Sequence, residues 1–280
     1  MAMPLFLLNE WFHPLPFIKL QMLGRRNFAY GVVGLFLFII VSLSGTTVPL
    51  TFLEKAQGFR PLQANAVTLL VAAAQFAMLP ALALLLNVRR VDGRVVSFIG
   101  MALVLASCLG SSYLTVFWLP DQFYLWQALQ AVGQPMIVMP LLLMATNTVT
   151  SEDDAPFASS LINCPRAFAE AVGTWLLDLV ARWRGALHSD RLVSHAGAVR
   201  WPLLQGPGVL PKHPPPLLAS GQPAAPGALD AFNRAVERQV TVMTTADTYL
   251  VLGGVTVAMM AVLLLLPVRT LPPRLQLARS

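Results

Sequence analysis

Six long apolar stretches constrain what this chain can fold into more than any other feature of its sequence. Each is about 20 residues or longer, the length that a helix needs to cross the hydrocarbon core of a bilayer. They span 28–50, 64–88, 95–116, 124–149, 157–181 and 248–267. Charged residues make up only 11% of the chain, whereas a soluble domain carries about a quarter. The sequence therefore predicts an all-α membrane protein, a bundle of six transmembrane helices.

One connection between these stretches is long. The segment 182–247 is rich in proline, which opposes regular helix, and it predicts a long loop outside the cytoplasm. Towards its end, apolar residues recur at helical spacing and predict an amphipathic helix lying on the membrane surface before the sixth span. These residues are Leu229, Phe232, Val236, Val240 and Met243.

Lysine and arginine set the predicted orientation. They are concentrated beside the ends of the spans that face the same side as the N-terminus, and such ends usually lie in the cytoplasm. We therefore expect 1–27 to be a cytoplasmic segment, 28–181 to contain the first five helices, and 268–280 to be a cytoplasmic tail. The expected location is the cell (inner) membrane, with the lipid bilayer as the main partner.

Charged residues inside the fifth stretch require a reason, because a charge at mid-bilayer costs about 2.5–3.5 kcal/mol. Arg166 and Glu170 are four residues apart and share one helix face, together with Asn163 and Gly173. The face indicates either substrate and proton handling or an ion pair that sets helix packing, and the sequence favours neither. For Asp178, contact with the interface or with Arg182 is the favoured interpretation.

Glutamines line one face of the fourth stretch. Gln127, Gln130 and Gln134 stand at positions i, i+3 and i+7, so their amides bond either to neighbouring helices or to a ligand. Gln75 shares a face of the second stretch with Thr68. The run from Ser42 to Thr47 is rich in small residues, which permits close helix packing.

Motifs for other kinds of function are missing from the sequence. It has no nucleophile elbow, P-loop or dinucleotide fingerprint, and its four histidines and two cysteines have no metal-ligand spacing. We therefore expect no enzyme activity, cofactor or metal. The net charge of +6 comes mainly from arginines at the ends of apolar runs, so nucleic-acid binding is not expected either.

Three segments together resemble a known family. Residues 20–28 resemble a basic LFxxRNF entry into a helix, 130–141 a QGxxxxxxxMPL helix, and 158–174 an ASSLxNxxRxxxxxxGT segment. Their order resembles the C-terminal half of the major facilitator superfamily, in its fourteen-span EmrB/QacA-type drug:proton antiporter branch. The resemblance covers most of the chain. Glu170 and Pro165 depart from it, because small or hydroxyl residues are common at those positions.

The resemblance implies proton-driven export of amphipathic small molecules. It points first to Asn163 and Arg166 and then to Gln130 and Pro140, and it makes Glu170 the candidate proton site. We assign the polar residues of the fourth and fifth stretches to one predicted substrate and proton pathway, made of Asn163, Arg166, Glu170, Gln127, Gln130 and Gln134. It also places Asp92 and Arg94 in a cytoplasmic gating loop. Leu85 and Leu86 stand nearby where relatives often have Gly-Arg, which weakens that assignment.

A major facilitator has two six-helix halves with the substrate site between them, and this chain supplies one. We therefore expect a missing N-terminal half as partner or, failing that, a second subunit. The beginning of the chain suggests a fragment or one half of a split transporter. Two alternatives stay open, a non-transporting membrane subunit or scaffold that acts through its outer loop, and a remnant without function.

Overall fold

The computed structural model describes residues 9, 12, 24–88, 91–146, 155–196 and 228–265, and within them the ordered elements are helices. The predicted cytoplasmic tail 268–280 and nearly all of 1–23 lie outside the described residues, as does the middle of the predicted loop. The helices are α1 (Arg26–Ser42), α2 (Thr47–Gln57), α3 (Pro61–Leu86), α4 (Gly93–Ser111), α5 (Pro120–Thr146), α6 (Ala155–Ala196) and α7 (Ala228–Leu265). The all-α prediction is confirmed for this part of the chain.

Among the described residues, five helical segments are long and apolar enough to cross a membrane. They are Arg26–Gln57, which contains both α1 and α2, and then Pro61–Leu86, Gly93–Ser111, Pro120–Met144 and Asn233–Leu265. Helix α6 is not among them, because its 42 residues include the charged side chains of the fifth stretch and more beyond it. The chain thus has the helices of a multi-pass membrane protein, and a sixth crossing stays a prediction.

The predicted loop 182–247 is wrong at both of its ends. Helix α6 continues to Ala196, and α7 begins at Ala228 and runs without a break to Leu265. At 1.5 Å per residue these helices are about 63 and 57 Å long, well beyond the roughly 30 Å of a bilayer core. The prolines of the predicted loop, which oppose regular helix, are confined to 202–226 and leave its two ends free to be helical.

The amphipathic helix predicted before the sixth span is present as helix, but it is not a separate element. Its residues Val236, Val240 and Met243 belong to α7, which is one continuous helix, and they are partly buried. Val242, the residue before Met243, is buried, with 5% of its surface exposed. The apolar spacing was correct, but the surface it covers is helix α6 and the rest of the bundle instead of a membrane surface.

Helix α5 lies at the centre of the bundle, where it packs against α1, α3 and α4. Two glycines set the closest approach. A Cβ atom at Gly100 would lie 2.8 Å from the carbonyl oxygen of Gly133, and a Cβ at Gly133 would lie 2.8 Å from the carbonyl oxygen of Gly100. No side chain fits between the two backbones, so the α4–α5 crossing depends on both glycines.

The bundle has two ends. We call proximal the end where α1 and α4 begin, and there Asp92 and Arg94 lie near Leu263 and Leu264 of α7. We call distal the end where α2 ends and α3 begins. At the distal end the Gln57 amide donates to the Val116 carbonyl oxygen. Helices α6 and α7 pass the distal end side by side.

Candidate functional site

The first of the five candidate spans is interrupted inside the bundle. Helix α1 ends at Ser42 and α2 begins at Thr47, with a turn over 43–46 between them. The hydroxyl of Ser44 is buried and donates to the Val41 carbonyl oxygen at 2.6 Å. A Cβ at Gly45 would lie 2.8 Å from Nε2 of Gln134. The small residues that the sequence analysis noted therefore form a turn that packs closely against α5.

A chain of amide groups joins this turn to α5 and α3. Nε2 of Gln130 donates to the Ser44 hydroxyl oxygen at 2.8 Å, and Nε2 of Gln134 donates to Oε1 of Gln130 at 3.1 Å. Nε2 of Gln75 then donates to Oε1 of Gln134 at 2.7 Å. We call Ser44, Gln75, Gln127, Gln130 and Gln134 the amide network.

Most of the amide network is closed to solvent. Gln127 and Gln130 are 0% exposed and Gln134 is 4% exposed. Nε2 of Gln127 donates to the Ser44 carbonyl oxygen at 3.5 Å, whereas its Oε1 has no hydrogen-bond partner among the described residues. Because nearly every polar atom is paired within the network, these amides act between helices in this structure. The sequence had identified the glutamines of α5 but not their bond to Gln75.

The charged residues of α6 lie elsewhere. Nε of Arg166 is 3.3 Å from Oε1 of Glu170, and the two side chains are 63% and 58% exposed. Asn163, one turn earlier, is also exposed. We call these three residues the charged face. The structure does not bring the charged face together with the amide network, although the sequence analysis assigned both to one substrate and proton pathway.

The side of α6 next to the charged face is small and apolar. Ala169 is 0% exposed and packs with Leu35 and Ile39 of α1. A Cβ at Gly173 would lie 2.7 Å from the Leu43 side chain, so this glycine is buried against the turn after α1. By helical spacing Gly173 still shares the arc of Arg166 and Glu170, but it lies at the buried edge of that arc. A side chain there would have to displace the Leu43 side chain.

Asp92 and Arg94, the predicted gating residues, lie at the start of α4. Oδ1 of Asp92 accepts a hydrogen bond from the backbone N–H of Arg94 at 3.0 Å, which caps the helix. Both residues line a cavity of about 330 Å³ with Phe98 and Leu263. The observed role of the Asp92 carboxylate is structural, and a gating role for the pair stays a prediction.

A polar cluster joins α6 and α7 beyond the predicted spans. Oδ2 of Asp247 accepts from Nε of Arg184 at 2.7 Å and lies 2.6 Å from Nε2 of His188. The hydrogen bond from Arg184 and the charge of Asp247 together raise the pKa of the Arg184 guanidinium. Sequence reasoning missed this cluster, because it treated 182–247 as a loop and nothing local connects positions 63 residues apart.

The part of the chain described by the structure contains no group of three or more His, Cys, Asp or Glu side chains that could hold a metal ion. Comparison with known proteins adds no assignment. No protein-family model matches the chain, and no curated protein matches it. The geometry of the charged face and of the amide network is therefore the basis for a functional proposal.

Proposed function

We propose that this chain is one half of a membrane transporter, a proton-coupled exporter of amphipathic toxic compounds that works by alternating access. The observation that carries the proposal is the charged face of α6. Arg166 and Glu170 are exposed on a helix whose adjoining sides pack on α1 and α7. Their position suits a surface that meets a second bundle across a polar path.

The energetic argument starts from the cost of a charge in lipid, about 2.5–3.5 kcal/mol at mid-bilayer on insertion scales. An i,i+4 ion pair offsets only part of that cost when both side chains stay exposed. A charged face inside a membrane is therefore better explained by a water-filled path than by contact with lipid. In transporters built from two repeats, that path lies between the repeats.

In this proposal each residue of the charged face has a role. Glu170 takes up and releases the coupling proton, and its protonation frees Arg166, now 3.3 Å away, to contact the substrate or the second bundle. Asn163 provides a neutral polar contact one turn before Arg166 on α6. The amide network holds the broken first crossing against α5 and supplies the rigid frame of this half.

The Glu170 carboxylate can be tested directly. We expect Glu170→Gln, in the chain together with its partner half, to abolish the pH dependence of drug efflux from proteoliposomes. The matched control is Glu237→Gln, which removes an exposed carboxylate from α7 near the distal end. Unchanged coupling in Glu170→Gln would remove this residue from the mechanism.

The partner itself can be tested by crosslinking. A cysteine at Glu170, with Cys108 and Cys164 replaced by serine, should crosslink in membranes to a second polypeptide that supplies the other half. A cysteine at Val180, which is buried, serves as the control that should not crosslink. A crosslinked homodimer would instead make two copies of this chain the transporter.

The proposed location is the cell (inner) membrane, with both termini in the cytoplasm. The two ends of the bundle make this testable with single cysteines in the same serine background. A cysteine at Arg94, on the proximal end, should react with a membrane-impermeant reagent only in inverted vesicles. A cysteine at Lys55, on the distal end, should react in intact cells. The reverse pattern would invert the topology.

One observation favours a second function, that of a non-transporting scaffold. Helices α6 and α7 continue past the distal end and are joined there by Asp247 with Arg184 and His188. This paired extension would present the segment between them to a partner outside the membrane. Deleting 197–227 distinguishes the two functions. Loss of partner binding from a bundle that stays folded favours the scaffold, and efflux that persists after the deletion favours the exporter.

A further inference from the structure

A threonine-lined cavity lies among α2, α6 and α7 towards the distal end. Its volume is about 320 Å³, and it is lined by Lys55 of α2, Asp178 of α6 and a few apolar side chains in addition to the threonines. The threonines are Thr47, Thr51, Thr174, Thr241, Thr244, Thr245 and Thr248. The charged face of α6 does not contribute to it.

Most of these hydroxyl groups can only accept hydrogen bonds from a ligand. Five of them donate their single proton to the carbonyl oxygen four residues earlier in their own helix, at distances between 2.7 and 2.9 Å. A hydroxyl has one proton and two lone pairs, so what remains for the cavity is lone pairs. Walls of this kind suit a ligand group that carries N–H donors.

Thr244 differs from those five. It is 8% exposed, and its hydroxyl oxygen has no hydrogen-bond partner among the described residues. A Cβ at Gly185 of α6 would lie 3.9 Å from this oxygen, which shows that the hydroxyl faces across towards α6. A buried hydroxyl without a partner is unfavourable. Thr244 lines the cavity, but its hydroxyl is buried in the wall, so it can donate only to a group that reaches it there.

The two charged side chains have opposite signs and come from different walls. Neither Lys55 nor Asp178 forms an ion pair with a side chain in the described ranges of the chain. Lys55 offers N–H donors and a positive charge, and Asp178 offers acceptors and a negative charge. The cavity therefore presents one donor group, Lys55 with Thr244, and one acceptor group, Asp178 with the other threonines.

We propose that this cavity binds a small zwitterion in which a primary ammonium group lies a few bonds from an anionic group. Asp178 and the threonine oxygens hold the ammonium group, and Lys55 and Thr244 hold the anionic group. A volume of about 320 Å³ is near the lower end for ligand sites, about 300–1,000 Å³, and suits a phosphoethanolamine group. That group occurs as a free solute and as the headgroup of a lipid.

The test compares ethanolamine with choline, because a choline nitrogen has no N–H to donate to the threonine oxygens. Titration calorimetry of the full chain in phosphatidylcholine nanodiscs would measure free phosphoethanolamine against phosphocholine. Native mass spectrometry in detergent would measure phosphatidylethanolamine against phosphatidylcholine. We expect at least about tenfold preference for the ethanolamine compound in one of these two measurements. A preference in calorimetry identifies the ligand as the free solute, and a preference in mass spectrometry identifies it as the lipid headgroup.

Substitutions then connect the preference to the cavity. Asp178→Asn should lower the affinity for the ethanolamine compound at least about tenfold, and Lys55→Gln and Thr244→Val should also weaken it. Asp190→Asn removes an exposed carboxylate from the same helix outside the cavity and should leave the affinity unchanged. Thermal unfolding confirms that each variant is folded. Equal binding of ethanolamine and choline compounds in both measurements, or full affinity in Asp178→Asn, would overturn the proposal.

Discussion

The amide network and the charged face use polar residues in opposite ways. The amides of α5 are neutral, are almost completely buried, and bond across three helical segments. Arg166 and Glu170 are ionised types, pair with each other along one helix, and stay exposed. Neutral amides can be buried when their bonds are completed inside the bundle, whereas a buried charge costs far more than one partner restores. Polar residues inside a predicted span can therefore indicate either packing between helices or an exposed functional surface, depending on whether they are neutral or charged.

The largest expected loss of stability concerns the helix packing that encloses the amide network. Gly100→Val would force a side chain into space where a Cβ lies 2.8 Å from the Gly133 carbonyl oxygen. We expect it to lower the free energy of unfolding by about 3 kcal/mol or more, through overpacking and separation of α4 from α5. Unfolding by denaturing detergent measures the change.

Gly254→Val is the matched control, because a Cβ at Gly254 of α7 meets nothing within 4 Å. Its effect should stay within about 0.5 kcal/mol. If both variants lose the same stability, the close approach of α4 and α5 is not what holds the interior together.

The next prediction removes the centre of the amide network. Gln130→Leu leaves Nε2 of Gln134 and the Ser44 hydroxyl without the partner they share. We expect a loss of about 2 kcal/mol, within the range for an unsatisfied buried polar group. Asn65→Leu, at an exposed amide of α3, should change stability by about 0.5 kcal/mol at most. Equal effects would mean that the network contributes no net stability.

A smaller and more local effect is expected at the paired extension of α6 and α7. Asp247→Asn removes the negative charge of the side chain whose Oδ2 atom contacts both Arg184 and His188. We expect faster amide hydrogen exchange over 182–196, with little change in the melting temperature, because the bundle does not depend on this pair. Asp190→Asn is the control on the same helix. Unchanged exchange in Asp247→Asn would show that apolar packing alone holds the extension.

The smallest stability effect is expected at the charged face. Replacing Arg166 and Glu170 together by glutamine should change the free energy of unfolding of the chain alone by about 0.5 kcal/mol or less, because an exposed i,i+4 pair contributes little. Detergent unfolding measures this as well. A loss as large as that of Gln130→Leu would remove the contrast between the two regions and with it the argument that the charged face serves function.

Several features could be predicted from the sequence because they depend on local spacing. The apolar lengths predicted six helices that can cross a membrane, and five such helices occur in the part of the chain that the structure describes. Spacing of four residues predicted that Arg166 and Glu170 lie side by side, and spacing of three and seven predicted that the glutamines of α5 share a face. The run of small residues before Thr47 predicted close packing, which Gly45 confirms.

Other features depended on which helices become neighbours, and only the tertiary structure decided them. The sequence could not show that Gln75 meets Gln134, that Gly173 packs on Leu43, or that Asp247 joins Arg184 and His188. Apolar periodicity also could not tell whether the first half of α7 covers a membrane surface or another helix. Spacing along a helix determines which side chains share a face, but the energy of that face depends on what the fold places against it.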